Sequence, residues 1–267
     1  MRTFVKRHSL PLYFAFAFAW FWSWLALDRL KPFHFWAPLL GALAPTIAAL
    51  VITGVGQGEP AVRDLVRRLG KWRVGWAWYL VAFGLPLAEG LLAIGIALAF
   101  GGFTLARINT DMLRATLPGI WIVFLFAAGE ELGWRGFALP RLLEKHTAIL
   151  ASVILGGLHA LWHWPLLLLP HQYLSDVSLL PWTAAVIAEA VAFTWIVRGT
   201  GGSVLLAALF HGMSNIAMVG YDGIDPRWMP WLKSGITVLV TVVLVLATGW
   251  ELERKRAPAE AVATAAH

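Results

Sequence analysis

The chain has 267 residues, of which 59% are hydrophobic and 13% charged. A water-soluble domain carries about 25% charged residues, so too little polar surface is encoded here to wet a globule. The absence of cysteine excludes a disulfide framework, a thiolate metal site and a cysteine nucleophile. The formal charge of +6 does not point to nucleic acid, because the basic residues sit in short connections between apolar blocks. There they read as topology signals and contacts to anionic lipid.

The blocks approach the roughly 20 apolar residues that a membrane span needs. They predict an all-α fold, a polytopic transmembrane helical bundle of about eight spans. The first span, Leu10–Leu27, follows the basic residues Arg2, Lys6 and Arg7. Ala15-Phe16-Ala17 resembles a signal cleavage site, but the apolar run continues past Trp24, as in a retained helix. Phe35–Thr53 is the second span. The basic stretch Gly58–Arg73 reads either as an amphipathic helix on the inner leaflet or as an ordinary loop. Trp76–Phe100, Leu117–Leu139, Ala148–Leu169, Pro181–Val197, Ser203–Val219 and Trp231–Trp250 follow as further spans. Trp72, Trp76, Trp228, Trp231 and Trp250 cluster near span ends, where an interfacial aromatic belt belongs. Residues 1–256 read as a single transmembrane domain, and Ala257–His267 as a disordered cytoplasmic tail.

With an even number of spans both termini lie on one side. That side collects Arg63, Arg67, Arg68, Lys71 and Arg73, then Arg141, Lys145 and Arg198, besides the basic termini. The opposite side has few cations, among them Arg29, Arg107 and Arg227. The richer side is expected to be cytoplasmic, which makes the chain a multi-pass protein of the cell membrane with both termini inside.

Ionisable groups inside apolar blocks are the informative residues, because a charge at the bilayer centre costs at least about 2.5–3.5 kcal/mol. Three spans carry them. The fourth contains Gly129-Glu130-Glu131-Leu132-Gly133-Trp134-Arg135-Gly136. On a helix, adjacent carboxylates point about 100° apart. Glu131 shares a face with Arg135 and is expected to form a structural ion pair, leaving Glu130 as the free carboxylate of a site. The fifth contains His159 and His163 on one face, followed by Pro165, which is expected to disturb the helix and open backbone near a cavity. Neutral imidazole binds a metal or orients water, and His163 is the candidate; nothing else singles out His159. The seventh places His211 and Asn215 on one face, where both could donate to an oxyanion or simply glue helices together.

Peptide hydrolysis needs a nucleophile, a base and an oxyanion stabiliser. There is no His-Glu-x-x-His zinc helix, no Gly-x-Ser-Gly, and no pair of intramembrane aspartate motifs. A Glu/His-activated water with a His/Asn oxyanion hole remains.

Glu-Glu-x-x-x-Arg at 130–135, with its Leu-Gly-Trp-Arg-Gly continuation, then His163 within Leu-Trp-His-Trp-Pro, then His211-x-x-x-Asn215, resembles the CAAX-prenyl-protease and bacteriocin-processing family. In bacteria this is usually called the CPBP, or Abi-like, family of intramembrane metalloproteases. The resemblance covers residues 117–220, the protease-like core. It implies an endopeptidase cutting near the C-terminus of a peptide or protein substrate in or at the lipid bilayer. Glu130 and His163 would activate water, His211 and Asn215 would stabilise the oxyanion, and Glu131 with Arg135 would hold the helix. The family usually has Phe or Trp where His159 stands here, so His159 either extends a metal site or replaces a packing group. Glu130, His163 and His211 would suit a divalent metal, zinc first, although a glutamate also activates water without one. Two other readings use the same residues: a non-catalytic bacteriocin-immunity or peptide-binding membrane protein, and a proton-coupled transporter, against which stands the lack of repeated halves. No motif specifies the substrate or an oligomeric state.

Overall fold

The computed structural model describes residues 1–30, 40–108, 114, 118–169, 174 and 177–253. The start of the second span and the 257–267 tail fall outside the described residues. The chain folds into helices α1 (Arg2–Arg7), α2 (Ser9–Leu30), α3 (Ala44–Gln57), α4 (Glu59–Arg67), α5 (Trp76–Ala99) and α6 (Ile120–Glu131). They are followed by α7 (Leu139–Leu143), α8 (Ala148–Leu168), α9 (Leu179–Gly199), α10 (Val204–Ala217) and α11 (Met229–Thr248). Lipid offers the backbone no hydrogen-bond partner, so spans must satisfy their own N–H and C=O groups, as helices do. Among the described residues the one extended pairing is a bridge between Phe103 and Ile224.

Among the described residues, seven helices are long and apolar enough to cross a membrane. The remaining crossing is composite. The sequence reading has one helix ending at Leu139, but α6 stops at Glu131 and a π-helical turn (Leu132–Ala138) leads into α7. Two local causes are visible. A Cβ on Gly133 would stand 2.4 Å from the backbone carbonyl of Pro45, so α3 lies directly against the turn. Pro140 has no N–H for the carbonyl of Gly136, which instead accepts a bond of 2.9 Å from Arg68 Nη1.

The expected disturbance at Pro165 is absent. Helix α8 runs through it to Leu168, and Leu169 N–H bonds to the Pro165 carbonyl at 3.0 Å. One missing N–H removes one bond, and packing on both sides holds the rest. The basic stretch after the second span is helical over Glu59–Arg67, followed by a 3₁₀ turn, Arg68–Gly70, and it buries Leu65.

Helix α8 packs on α9, α9 on α11, and α10 on both α5 and α6, while α2 lies on α3. Helix α2 is also tied to α8. Trp162 Nε1 donates to the Ala17 carbonyl at 3.2 Å, Trp22 Nε1 donates to the Trp162 carbonyl at 3.1 Å, and the Phe21 and Trp162 rings stack at 4.0 Å. Tyr13, Trp134, Phe137 and Trp162 make the fully buried aromatic centre beside the π turn.

Gly133→Ala puts a methyl group into the Pro45 backbone and is expected to cost about 1–3 kcal/mol as overpacking. The check is the thermal unfolding midpoint in detergent, with Gly157→Ala, whose Cβ would meet no atom within 4 Å, as the control that does not lower it.

Candidate active site

Three helices bring the polar residues together. At the C-terminal end of α6, Glu130 and Glu131 are both buried and point to different neighbours. Glu130 faces α8: its Oε2 lies 3.1 Å from His159 Nε2. Glu131 faces α10: its Oε1 accepts from Arg135 Nη1 and from His211 Nδ1, both at 2.8 Å. The Arg135 guanidinium also lies 3.7 Å above the Phe193 ring of α9. A carboxylate with 0% exposure thus has a guanidinium and an imidazole as partners, which is what lets a charge persist in an apolar interior.

His163 sits one turn after His159. Its Nδ1 donates to the His159 carbonyl at 3.1 Å, because a carbonyl only accepts. In the neutral ring, Nε2 then carries the lone pair. Glu130, His159 and His163 each offer one ligand atom, and these atoms lie within 4.8 Å of one another. His211 was expected to join Glu130 and His163 as a ligand. Its Nδ1 is on Glu131 instead, and the third member of the cluster with Glu130 and His163 is His159. The reason is the rotation between adjacent residues on α6, which sends Glu130 to α8 and Glu131 to α10. The His211 ring still lies 6.3 Å from that of His159. Asn215, one turn further along α10, is exposed.

The donor set can be tested for fit to a metal. Zinc bonds of about 2.0–2.2 Å in a tetrahedron set ligand atoms about 3.4 Å apart. The Glu130–His159 separation of 3.1 Å is already close to that, and the His163 ligand atom lies within 4.8 Å of both. His163 has the carbonyl behind Nδ1 that orients a metal-binding histidine. His159 Nδ1, by contrast, is buried without a protein partner. Two imidazole nitrogens and one carboxylate are a donor set that zinc takes.

Two intramembrane carboxylates escaped the sequence reading, although they carry the same signal, a glutamate within an apolar block. Glu189 of α9 accepts from Ser214 Oγ at 2.5 Å, and Glu89 of α5 accepts from Thr237 Oγ1 at 3.0 Å. The first bond holds α10 between His211 and Asn215.

Glu131→Leu strands the buried guanidinium of Arg135 and frees His211. It is expected to destabilise the fold by about 3–5 kcal/mol, read as a lower thermal unfolding midpoint. Glu131→Gln keeps an acceptor for Arg135 and is expected to lose less.

Residues 112–217, which hold all of these groups except Glu89 and Thr237, match the Type II CAAX prenyl endopeptidase Rce1-like family. The chain is also 27% identical to CAAX prenyl protease 2 of Methanococcus maripaludis, across 67% of this chain and 69% of that protein. The matched segment contains the paired glutamates, the α8 histidines and the His211–Asn215 face, and its relatives are proteases. On this segment the chain is similar to the Rce1-like CAAX prenyl endopeptidase family.

Proposed function

We propose that the chain is an intramembrane endopeptidase that hydrolyses a peptide bond near the C-terminus of a membrane-held substrate, with Glu130 activating the water. The observation that carries this reading is the buried Glu130–His159–His163 cluster, whose three ligand atoms lie within 4.8 Å of one another. Glu130 Oε2 faces His159, which leaves Oε1 to take a proton from water. The water oxygen attacks the scissile carbonyl, and the proton held on Glu130 passes to the leaving amine as the C–N bond breaks. The tetrahedral oxyanion needs donors. His211, with Nδ1 on Glu131, donates from Nε2 when it is imidazolium, and the Asn215 carboxamide is the second donor. Glu130, His159 and His163 would hold a zinc ion, which when bound supplies Lewis acidity and a water that ionises near neutral pH. His163 would contribute Nε2, since its Nδ1 is held by the His159 carbonyl.

A lipid-modified peptide fits the surroundings. Between α2 and α8, an open crevice of about 620 Å³ is lined mostly by apolar side chains, among them Trp22, Leu25, Leu161, Trp164 and Leu168, together with Arg29. The CAAX prenyl protease relative supports a prenylated C-terminus as the substrate.

Purified protein is expected to cleave a library of C-terminal peptides, farnesylated members fastest. Glu130→Gln and His163→Ala are expected to lower the rate at least about 100-fold, the scale of a lost general base. His159→Phe and His163→Ala are expected to lower bound zinc as well, measured by elemental analysis. If the variants cut as well as the parent, the assignment fails. If the parent cuts nothing but dissipates a pH gradient in liposomes, the transporter reading replaces it.

The basic end of the bundle is assigned to the cytoplasm, with both termini. Because the chain has no cysteine, single substitutions report on sidedness. A membrane-impermeant maleimide is expected to label Arg107→Cys in intact cells and Lys145→Cys only after permeabilisation; the opposite pattern inverts the topology.

A further inference from the structure

At the basic end of the bundle, away from the glutamate–histidine site, a cleft of about 630 Å³ opens between the segment after α4 and the turn joining α9 to α10. Arg67, Arg68, Lys71 and Arg198 line it, with Asp64 as the one acid. Two of these cations are neutralised: Arg67 Nη1 pairs with Asp64 at 3.1 Å, and Arg198 pairs with Glu253. The other two are held by neutral oxygens. Arg68 Nη1 donates to the Gly136 carbonyl at 2.9 Å, and Lys71 Nζ donates to the Gly201 carbonyl at 2.6 Å. A carbonyl positions a cation without cancelling its charge. Each group has spent one donor there, leaving four N–H on the guanidinium and two on the ammonium.

The cleft is built rather than a chance cluster on a loose loop. Lys71 staples the α9–α10 turn in both directions, since its own carbonyl accepts from Ser203 Oγ at 2.7 Å. The turn depends on Gly201 and Gly202, at φ +62 and +95, which L side chains rarely adopt. A Cβ on Gly201 would also come within 3.0 Å of Lys71 Nζ. Exposed Trp72 and Trp76, with Arg73 5.1 Å above the Trp72 ring, mark the level as that of the bilayer interface.

We propose that this cleft binds a phosphate group, held by Arg68 and Lys71 with Arg67 and Arg198 at its rim. A planar guanidinium fork and an ammonium are the donors that phosphate oxygens take. At this depth the group is supplied either by an anionic lipid headgroup or by a free phosphate. The bound anion would hold Arg68 on the Gly136 carbonyl, and so brace the π turn that carries Arg135.

The test uses the full chain in detergent and reads the thermal unfolding midpoint against rising concentrations of dioctanoyl phosphatidylglycerol, inorganic phosphate, and dioctanoyl phosphatidylcholine as control. A saturable rise with phosphatidylglycerol alone identifies the headgroup; one with inorganic phosphate as well identifies free phosphate; either supports the site. Arg68→Gln and Lys71→Met are expected to raise the midpoint-saturation constant at least tenfold, while Arg2→Gln with Arg7→Gln, which removes equal charge from the exposed start of α1, leaves it within twofold. Should Lys71→Met fail to fold, Arg67→Gln, whose side chain is 75% exposed, is expected to weaken binding at least threefold without touching the packing. No saturable rise in the parent, an equal response to phosphatidylcholine, or equal losses in the cleft and α1 variants overturns the proposal.

Discussion

A carboxylate placed where neither water nor lipid can solvate it must find its partners in the protein, and Glu131 is that group. It has no exposure, and its Oε1 receives one bond from Arg135 on its own helical segment and one from His211 on α10. Arg135 in turn lies against Phe193 of α9. The requirement that one buried charge be met from several sides therefore draws α6, α9 and α10 together. Removing one partner of such a pair strands the other, which is far more costly than never having had the pair. Once Glu131 is committed to α10, its neighbour Glu130 has only one direction left, about 100° round the helix, where α8 presents His159 and His163.

The π turn that follows is the second constraint. A π segment accommodates an extra residue per turn and re-aims the side chains beyond it, and such turns concentrate at functional sites. Here it is hemmed in by the backbone of Pro45 at Gly133 and tied to Arg68 at Gly136. The candidate active site lies at its N-terminal end and the basic cleft at its C-terminal end. One π-helical segment thus runs from the candidate site to the basic cleft.

Much of the architecture was legible in the sequence. Span limits such as Trp76–Phe100 and Ala148–Leu169 agree with α5 and α8 to within one residue. Lipid makes this possible: it forces each crossing to be apolar, helical and about 20 residues long, so the pattern along the chain is nearly the structure itself. The pattern misled where local chemistry acts below that resolution. Gly133, Gly136 and Pro140 look like helix-packing residues in an apolar block, yet together they change the helix type. Pro165 looks like a breaker, yet α8 continues through it.

Within the candidate site, the sequence by itself determined which residues were polar in an apolar setting and which of them shared a helical face, since those follow from composition and the 3.6-residue repeat. The pairing of Glu131 with Arg135 lies within that reach, because both are on one segment. Only the tertiary structure decided that His159 meets Glu130 while His211 meets Glu131, and that Glu189 holds Ser214 beside them. Those choices depend on the rotation of each helix about its axis and on its distance from its neighbours. Both are set by where glycines admit close contact and where rings fill space, and neither is written in the spacing of residues along one chain segment.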